Sequence, residues 1–256
     1  MGGHMEINVK LFGPTVVVAE DRKITPPGRR IRTLLAMLLT EPGGAVSCAR
    51  LGRELWGDDP PASGPANLRN HISTLREWLR GHCGGLTVAT RDGVLRLTCA
   101  TAVAIACDVG AFERDLALAR SGAGHGVQHH LASAVAARRG APFEDIPLGL
   151  GLGSRAAVLE ARWLSAVEDY AEVLLDRGHS QQARDLLLRF TAENPTRERA
   201  WEHLMLACYR DGDVASALTA FHRARCALRD LLGVEPGIAL LQRHLSILRR
   251  DVPVPG

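Results

Sequence analysis

Along the first hundred residues the hydrophobic pattern changes period several times. Ile7–Phe12, Val16–Ala19 and Lys23–Thr25 are short β-rich runs punctuated by Gly13-Pro14 and Glu20-Asp21, and they predict three small strands. From Arg29 to Thr40 the apolar positions Ile31, Leu34, Leu35, Leu38 and Leu39 share one helical face, and Glu41-Pro42-Gly43-Gly44 ends the helix. Ser47 is placed to cap a second helix over 48–56, with Leu51 and Leu55 facing inward, until Gly57-Asp58-Asp59-Pro60-Pro61 breaks the chain. A third helix starts near Pro65, a residue suited to a first turn, runs to about Arg80 and is stopped by Gly81 to Gly85. Leu86–Thr90 and Val94–Thr98 then alternate about Arg91-Asp92-Gly93 as a β-hairpin. A small sheet, three helices and a hairpin is the order of a winged helix-turn-helix.

From Asp108 onward the pattern is helical, with helices expected over 108–121, 127–139, 154–177, 180–193, 197–211, 214–232 and 237–250. Gly178 and Gly212 stand 34 residues apart, as do Ala183 and Ala217, and Leu187 and Phe221. That period of helix pairs, with small residues where neighbours approach closely, is the tetratricopeptide signature, kept here in degenerate form. Gly149-Leu150-Gly151-Leu152-Gly153 reads as a loop between helices, with Ser154 the N-cap of the long helix that follows. The expected fold is mainly α with a small β component. Residues 1–5 are a cloning remnant ahead of the native start, 6–105 a winged-helix DNA-binding domain, and 106–256 an all-α repeat domain.

Composition narrows the setting. No apolar run approaches the roughly 18 residues of a membrane span, and no signal peptide precedes Glu6, so a cytoplasmic, nucleoid-associated protein with no membrane partner is expected. The six cysteines are scattered without a C-x-x-C pair, which suits small core side chains in a reducing compartment. His125 and His129 stand four apart at a helix start, but two ligands make a weak site, so neither metal nor cofactor is expected. Residues 1–107 carry 13 Lys and Arg against 9 Asp and Glu, a net of +4, while 108–256 carry 18 against 19. The basic excess sits wholly in the part where a polyanion would bind.

The third helix makes that excess meaningful. Leu68, Ile72, Leu75 and Leu79 fall within about 60° of one another and must face the core. Asn67, Arg69, Asn70, Ser73, Thr74, Arg76 and Arg80 spread over the opposite arc. Arginine takes a phosphate or forks onto guanine, Asn pairs with adenine, and Thr meets a thymine methyl, which is the repertoire of a major-groove helix. Enzymatic readings find little support: there is no Walker A sequence, and the Gly149–Ser154 run lacks the third glycine of a dinucleotide fingerprint and follows no strand.

Several segments together resemble a known family. Glu6-Ile7-Asn8-Val9-Lys10-Leu11-Phe12-Gly13-Pro14, Leu55-Trp56-Gly57-Asp58-Asp59-Pro60-Pro61-Ala62-Ser63 and Asn67-Leu68-Arg69-Asn70-His71-Ile72-Ser73-Thr74-Leu75-Arg76 are similar to the SARP family, antibiotic-cluster activators of actinomycetes. Arg197-Glu198-Arg199-Ala200-Trp201 and Leu231-Leu232-Gly233-Val234-Glu235-Pro236-Gly237 resemble the bacterial transcriptional activator domain of the same family. The resemblance implies an OmpR-type winged helix that binds promoter direct repeats and recruits RNA polymerase through its sigma factor, as a homodimer or cooperative pair on DNA. It implies base contacts by Asn70 and Thr74, and mixed base or phosphate contacts by Arg69, Ser73, Arg76 and Arg80. Arg91 at the wing tip then takes a minor-groove or phosphate contact, and Asp58 and Asp59 face the polymerase. Val94 stands where the family places an aromatic, and Ala100–Ala106 is an unusually small, apolar linker. Two other readings stay open: a protein-binding adaptor built on the repeats, and a ligand sensor with a small molecule between repeat helices.

Overall fold

The computed structural model describes residues 5–100, 103–122 and 126–251. His125 therefore lies outside the described residues, and no group of three or more His, Cys, Asp or Glu converges as a metal site among those described. The chain divides into two compact units, Met1–Ser121 with Ser133–Trp163, and Gly122–Ala132 with Leu164–Gly256.

In the first unit, β1 (Met5–Lys10), β2 (Val16–Ala19) and β3 (Arg22–Ile24) form an antiparallel meander. Met5, set aside as part of the remnant, is the first residue of β1. Glu20 and Asp21 both take positive φ in the β2–β3 turn, the backbone a tight hairpin requires. The supposed linker is in part a strand: β7 (Val103–Cys107) runs parallel to β1, with Ile7 opposite Ile105. Alanine-rich sequence carries little strand propensity, so only its pairing with β1 reveals it.

Between β1 and β7 the chain builds the helix-turn-helix. α1 (Arg29–Thr40) buries Ile31, Leu34, Leu35 and Leu38. α2 (Cys48–Trp56) begins at Ser47, whose Oγ accepts the Arg50 amide at 3.2 Å. α3 (Gly64–His82) follows the turn at 57–63. β5 (Leu86–Arg91) and β6 (Val94–Cys99) are the hairpin, and β4 (Ala45–Ser47), too short to register as a strand in the sequence, pairs with β6 to complete a three-stranded sheet.

α4 (Asp108–Arg120), the later part of α5 (Val127–Ala137) and the residues of α6 (Leu150–Asp176) through Trp163 belong to the same unit. Glu113 receives Arg155 at 2.6 Å and Arg162 at 2.9 Å, and the Arg138 guanidinium lies 4.0 Å from the Trp163 ring centre. The expectation of a loop through Gly153 is corrected: the helix starts four residues earlier, at Leu150, and Ser154 lies inside it. Its capping group is Glu54 of α2, 8% exposed, whose carboxylate accepts the amides of Gly149 and Gly151 at 2.8 Å and of Leu152 at 3.2 Å. Those N–H groups have no partner inside the helix, and a carboxylate also suits the positive end of the helix dipole. A Cβ on Gly149 would stand 2.5 Å from the Glu54 backbone oxygen, and one on Gly151 2.8 Å from Glu54 Oε2, so the glycines are demanded by the approach of α2.

The second unit holds α7 (Ser180–Glu193), α8 (Glu198–Arg210), α9 (Val214–Leu232) and α10 (Ile238–Arg249) with the last part of α6. The repeat pattern is physical. Gly178 and Gly212 both turn the chain at positive φ, and Ala183 and Ala217 are fully buried where helices meet. The Arg197–Trp201 motif is a set of clamps. Arg197 forks onto buried Glu168 at 2.8 and 2.6 Å, and Glu198 accepts the Gly237 amide. Trp201 donates Nε1 to the Pro195 carbonyl at 2.9 Å. Of the cysteines, Cys83 and Cys208 are buried as core side chains, while Cys99 and Cys226 are exposed. Burial, reinforced by Asp108, pushes the Cys107 thiol up to about 12.

The Glu54 contact yields a stability test. Removing its carboxylate with Glu54→Ala leaves three amides unpaired and should cost about 2–3 kcal/mol. Gly149→Ala should lose at least about 2 kcal/mol through the backbone clash. Gly153→Ala, whose Cβ meets only Leu148 at 3.9 Å, should be neutral or mildly stabilising. Urea unfolding of the full chain measures all three, and equal effects for the two glycine substitutions would remove the close approach of α2 as the cause.

Candidate nucleic-acid interface

α3 is held from beneath by Leu68, Ile72, Leu75, Trp78 and Leu79, all buried, and this fixes which residues point outward. Arg69, Asn70, Ser73, Thr74, Glu77 and Arg80 are exposed. Each stands three or four residues from another of the set, so they form one continuous polar face. The Thr74 hydroxyl donates to the Asn70 carbonyl at 3.0 Å. His71, half-buried, has its pKa lowered by burial and then by Arg30, so the positive charge of this helix rests on its arginines.

Two of the predicted residues are engaged within the protein. Asn67 is half-buried in the first turn and donates Nδ2 to Ser63 Oγ at 3.0 Å. Arg76, also half-buried, donates Nε to the Val88 carbonyl and Nη2 to Thr90 Oγ1, each at 2.7 Å. Its guanidinium ties the centre of α3 to strand β5. Sequence spacing gives no sign of that link, because the partners lie 12 and 14 residues away across a turn.

The hairpin beside α3 closes through Asp92 and Gly93, both at positive φ, with Arg91 paired opposite Val94. This is the two-residue turn for which Asp-Gly is suited. Arg91 is 94% exposed at the tip and Val94 38% exposed beside it. Arg96, not singled out by the sequence, braces the same sheet by donating to the Gly43 carbonyl at 3.1 Å. Arg53 on α2 is exposed near the start of the turn and adds a further cation that periodicity alone did not select.

Asp58 and Asp59 are exposed in the turn between α2 and α3, away from the polar face of α3 in sequence. Trp56, Pro60, Pro61, Pro65 and Leu68 line an open, mainly apolar cleft of about 430 Å³ alongside this turn. The Gly149 and Gly151 amides, meanwhile, are taken by Glu54, so that glycine run presents no cradle for a phosphate. In the second unit a mixed-charge groove of about 620 Å³ is lined by Glu198, Arg199, Glu202, His203 and Arg243, among others. Its arginines are largely matched internally, Arg199 with Asp169 and Glu172, and Arg243 with Glu202.

Comparison with known proteins agrees with this architecture. A family described as the bacterial transcriptional activator domain matches residues 107–248. The transcriptional regulator RedD of Streptomyces coelicolor is 33% identical over 261 residues, covering 98% of this chain and 72% of RedD. The regulatory protein DnrI of Streptomyces peucetius is 32% identical, with 96% of this chain and 93% of DnrI covered. The regulatory protein AfsR of Streptomyces coelicolor is 31% identical over 94% of this chain, which spans 24% of that longer protein. Among solved structures, Mycobacterium tuberculosis EmbR in complex with a low affinity phosphopeptide superposes with a TM-score of 0.82 at 26% identity, covering 98% of this chain and 67% of that one. No helix among the described residues is long and apolar enough to cross a membrane. A winged helix followed by tetratricopeptide-like helices, matched nearly end to end by RedD and DnrI, makes this chain a member of the SARP family of bacterial transcriptional regulators.

Proposed function

We propose that the chain is a cytoplasmic, sequence-specific activator of a secondary-metabolite (antibiotic) gene cluster, that binds direct repeats in promoter DNA and recruits RNA polymerase with its sigma factor. The observation that carries this is the polar face of α3, where Arg69, Asn70, Ser73, Thr74 and Arg80 stand clear of a fully buried apolar stripe. A helix so mounted and followed by a hairpin enters the major groove with its side chains against base edges, while the wing tip at Arg91 reaches a phosphate or the minor groove. Residues 6–105 carry the DNA-binding function and 106–256 the activator function. A protein-binding adaptor would leave the α3 face without a polyanion, and a gel shift on tandem repeats separates the two.

Within this reading the α3 side chains divide by task. Asn70 and Thr74 read bases. Arg69 and Arg80 neutralise phosphates, with Ser73 beside them. Arg76 acts as a positioning residue that fixes the wing relative to α3. Asn67, turned back on Ser63, sets the start of the helix. Asp58 and Asp59 repel phosphates, so their use is toward a protein, and the polymerase is the partner on a promoter.

Three outcomes are expected. Asn70→Ala and Thr74→Ala should reduce discrimination between cognate and scrambled sites by roughly 5- to 100-fold, the equivalent of about 1–3 kcal/mol per base contact. Unchanged discrimination in both would reject α3 as the reading helix.

Arg69→Ala and Arg80→Ala should each lower the log–log salt slope of binding by about 0.9. Arg76→Ala should weaken binding to all sequences yet keep the slope of the parent protein. A slope reduced by Arg76→Ala as much as by Arg80→Ala would mean that Arg76 leaves the wing to take a phosphate.

The double substitution Asp58→Ala/Asp59→Ala should leave the gel shift intact and depress transcription in vitro. Full transcription by that variant would make the turn a mere connector.

A further inference from the structure

The mixed-charge groove of about 620 Å³ lies wholly within the second unit, among the last part of α6, α8 and α10. Each helix gives it one buried leucine, Leu175, Leu206 and Leu240. Along α8 its lining runs from Glu198 to Arg210, which is about 18 Å at 1.5 Å per residue. An extended chain advances about 3.3 Å per residue, so a trough of this length takes roughly five residues.

Two independent observations describe what such a chain must carry. The first is a buried polar group without a partner. His203 is 8% exposed and lines the groove, and its Nδ1 has no hydrogen-bond partner among the described residues. Folded proteins seldom leave such an atom bare. Burial, and then Arg199, lower the pKa of the ring, so it is held neutral, with one nitrogen a donor and the other an acceptor. The second is charge. Asp169, Glu172 and Asp176 share one face of α6, three and four residues apart, and a single guanidinium, that of Arg199, serves the first two. Asp176 is exposed and has no ion-pair partner among the described residues. Across the groove Arg243 offsets Glu202, while Glu198 is bonded only to the neutral Gly237 amide. Acids thus outnumber arginines, most clearly along α6.

We propose that this groove binds an extended segment of a partner protein, about five residues long, with apolar side chains at alternate positions and lysine or arginine between them. Alternate side chains of an extended chain point the same way, so one set meets the leucines while the other lies along the charged walls. A cation of that second set answers Asp176. The segment's backbone offers both N–H and C=O, so it completes His203 in either tautomer. A small apolar ligand would leave both groups unanswered, and nucleic acid is repelled by the excess of carboxylates. Every residue involved belongs to the second unit, so this site stands apart from the α3 face and is measured without DNA.

The test is fluorescence anisotropy of the full chain with labelled short peptides of alternating leucine and lysine, beside matched peptides with glutamate or serine in place of lysine. The lysine peptide should bind saturably, and the glutamate peptide roughly tenfold more weakly. Asp176→Lys should weaken the lysine peptide by roughly fivefold. Asp185→Lys makes the same charge change at an exposed position of α7 outside the groove and should have no effect. His203→Phe removes the bare nitrogen, so it should melt no lower than the parent protein while weakening all three peptides alike by about fivefold to tenfold. Ala239→Trp, at an exposed position of the lining, should fill the groove and abolish binding. Absence of saturable binding overturns the proposal, as do equal affinities for the lysine and glutamate peptides, or parental affinity in Ala239→Trp. Equal losses in Asp176→Lys and Asp185→Lys would reduce the effect to net charge and overturn the site. Parental affinity in a folded His203→Phe would overturn the role given to that ring. Failure of the parent protein to bind promoter DNA would count against the proposed function alone.

Discussion

The first unit depends on a carboxylate taken out of water. Glu54 sits on α2, the first helix of the helix-turn-helix, and its charged group is buried, where an unpaired charge would be prohibitively costly. The amides of Gly149, Gly151 and Leu152 resolve that cost, because the start of α6 has N–H groups that its own helix cannot pair. Each side answers the other's deficit. The usual N-cap is a Ser, Thr, Asn or Asp in the helix itself; here a glycine stands at that position and the acceptor comes from 95 residues earlier. Fixing α2 in this way fixes the turn at 57–63 and, through it, the start of α3.

Buried-side acids recur where the N-terminal sheet meets the later segments of its unit. Asp108 accepts the amides of Leu11 and Phe12 at 2.8 and 3.1 Å while also bonding the Val109 amide in the first turn of α4. Asp145 accepts both the amide and the hydroxyl of buried Thr15 and holds Arg32 at 2.8 Å. Acids thus carry the internal joints of this unit. Glu54 is buried and Glu41 is bound to Arg50, so two of the acids of the N-terminal segment are withdrawn from the surface. Arg69 and Arg80 on α3 and Arg91 on the wing stay exposed, with Glu77 and Asp92 on the same elements.

What was legible in the sequence is what periodicity controls. Leu68, Ile72, Leu75 and Leu79 are buried as their spacing demands, and the exposed arc above them follows from the same arithmetic. The turn glycines at 178 and 212 and the buried alanines at 183 and 217 were equally readable, because each answers a local steric need. The missed features are all non-local. β7 exists through its pairing with β1, β4 through its pairing with β6, and the early start of α6 through Glu54. Arg76 was placed on the polar arc correctly, but its angle there says nothing of Val88 and Thr90 on the neighbouring strand. Periodicity assigns a direction, while only the fold assigns a partner.

That distinction bears on how a reading helix works. A side chain that discriminates bases must reach them from a platform that moves less than a hydrogen bond tolerates, a few tenths of an ångström. Arg76 serves that need by committing its guanidinium to β5, which links α3 to the wing. Arg69, Arg80 and Arg91 stay exposed, and on the proposed function their long stems would let them follow a phosphate backbone whose path varies with sequence. Asn70 and Thr74, short and mounted directly above the buried stripe, have little freedom to wander. On the proposed function, this arrangement would set short side chains on α3 to selectivity and the long exposed arginines to affinity.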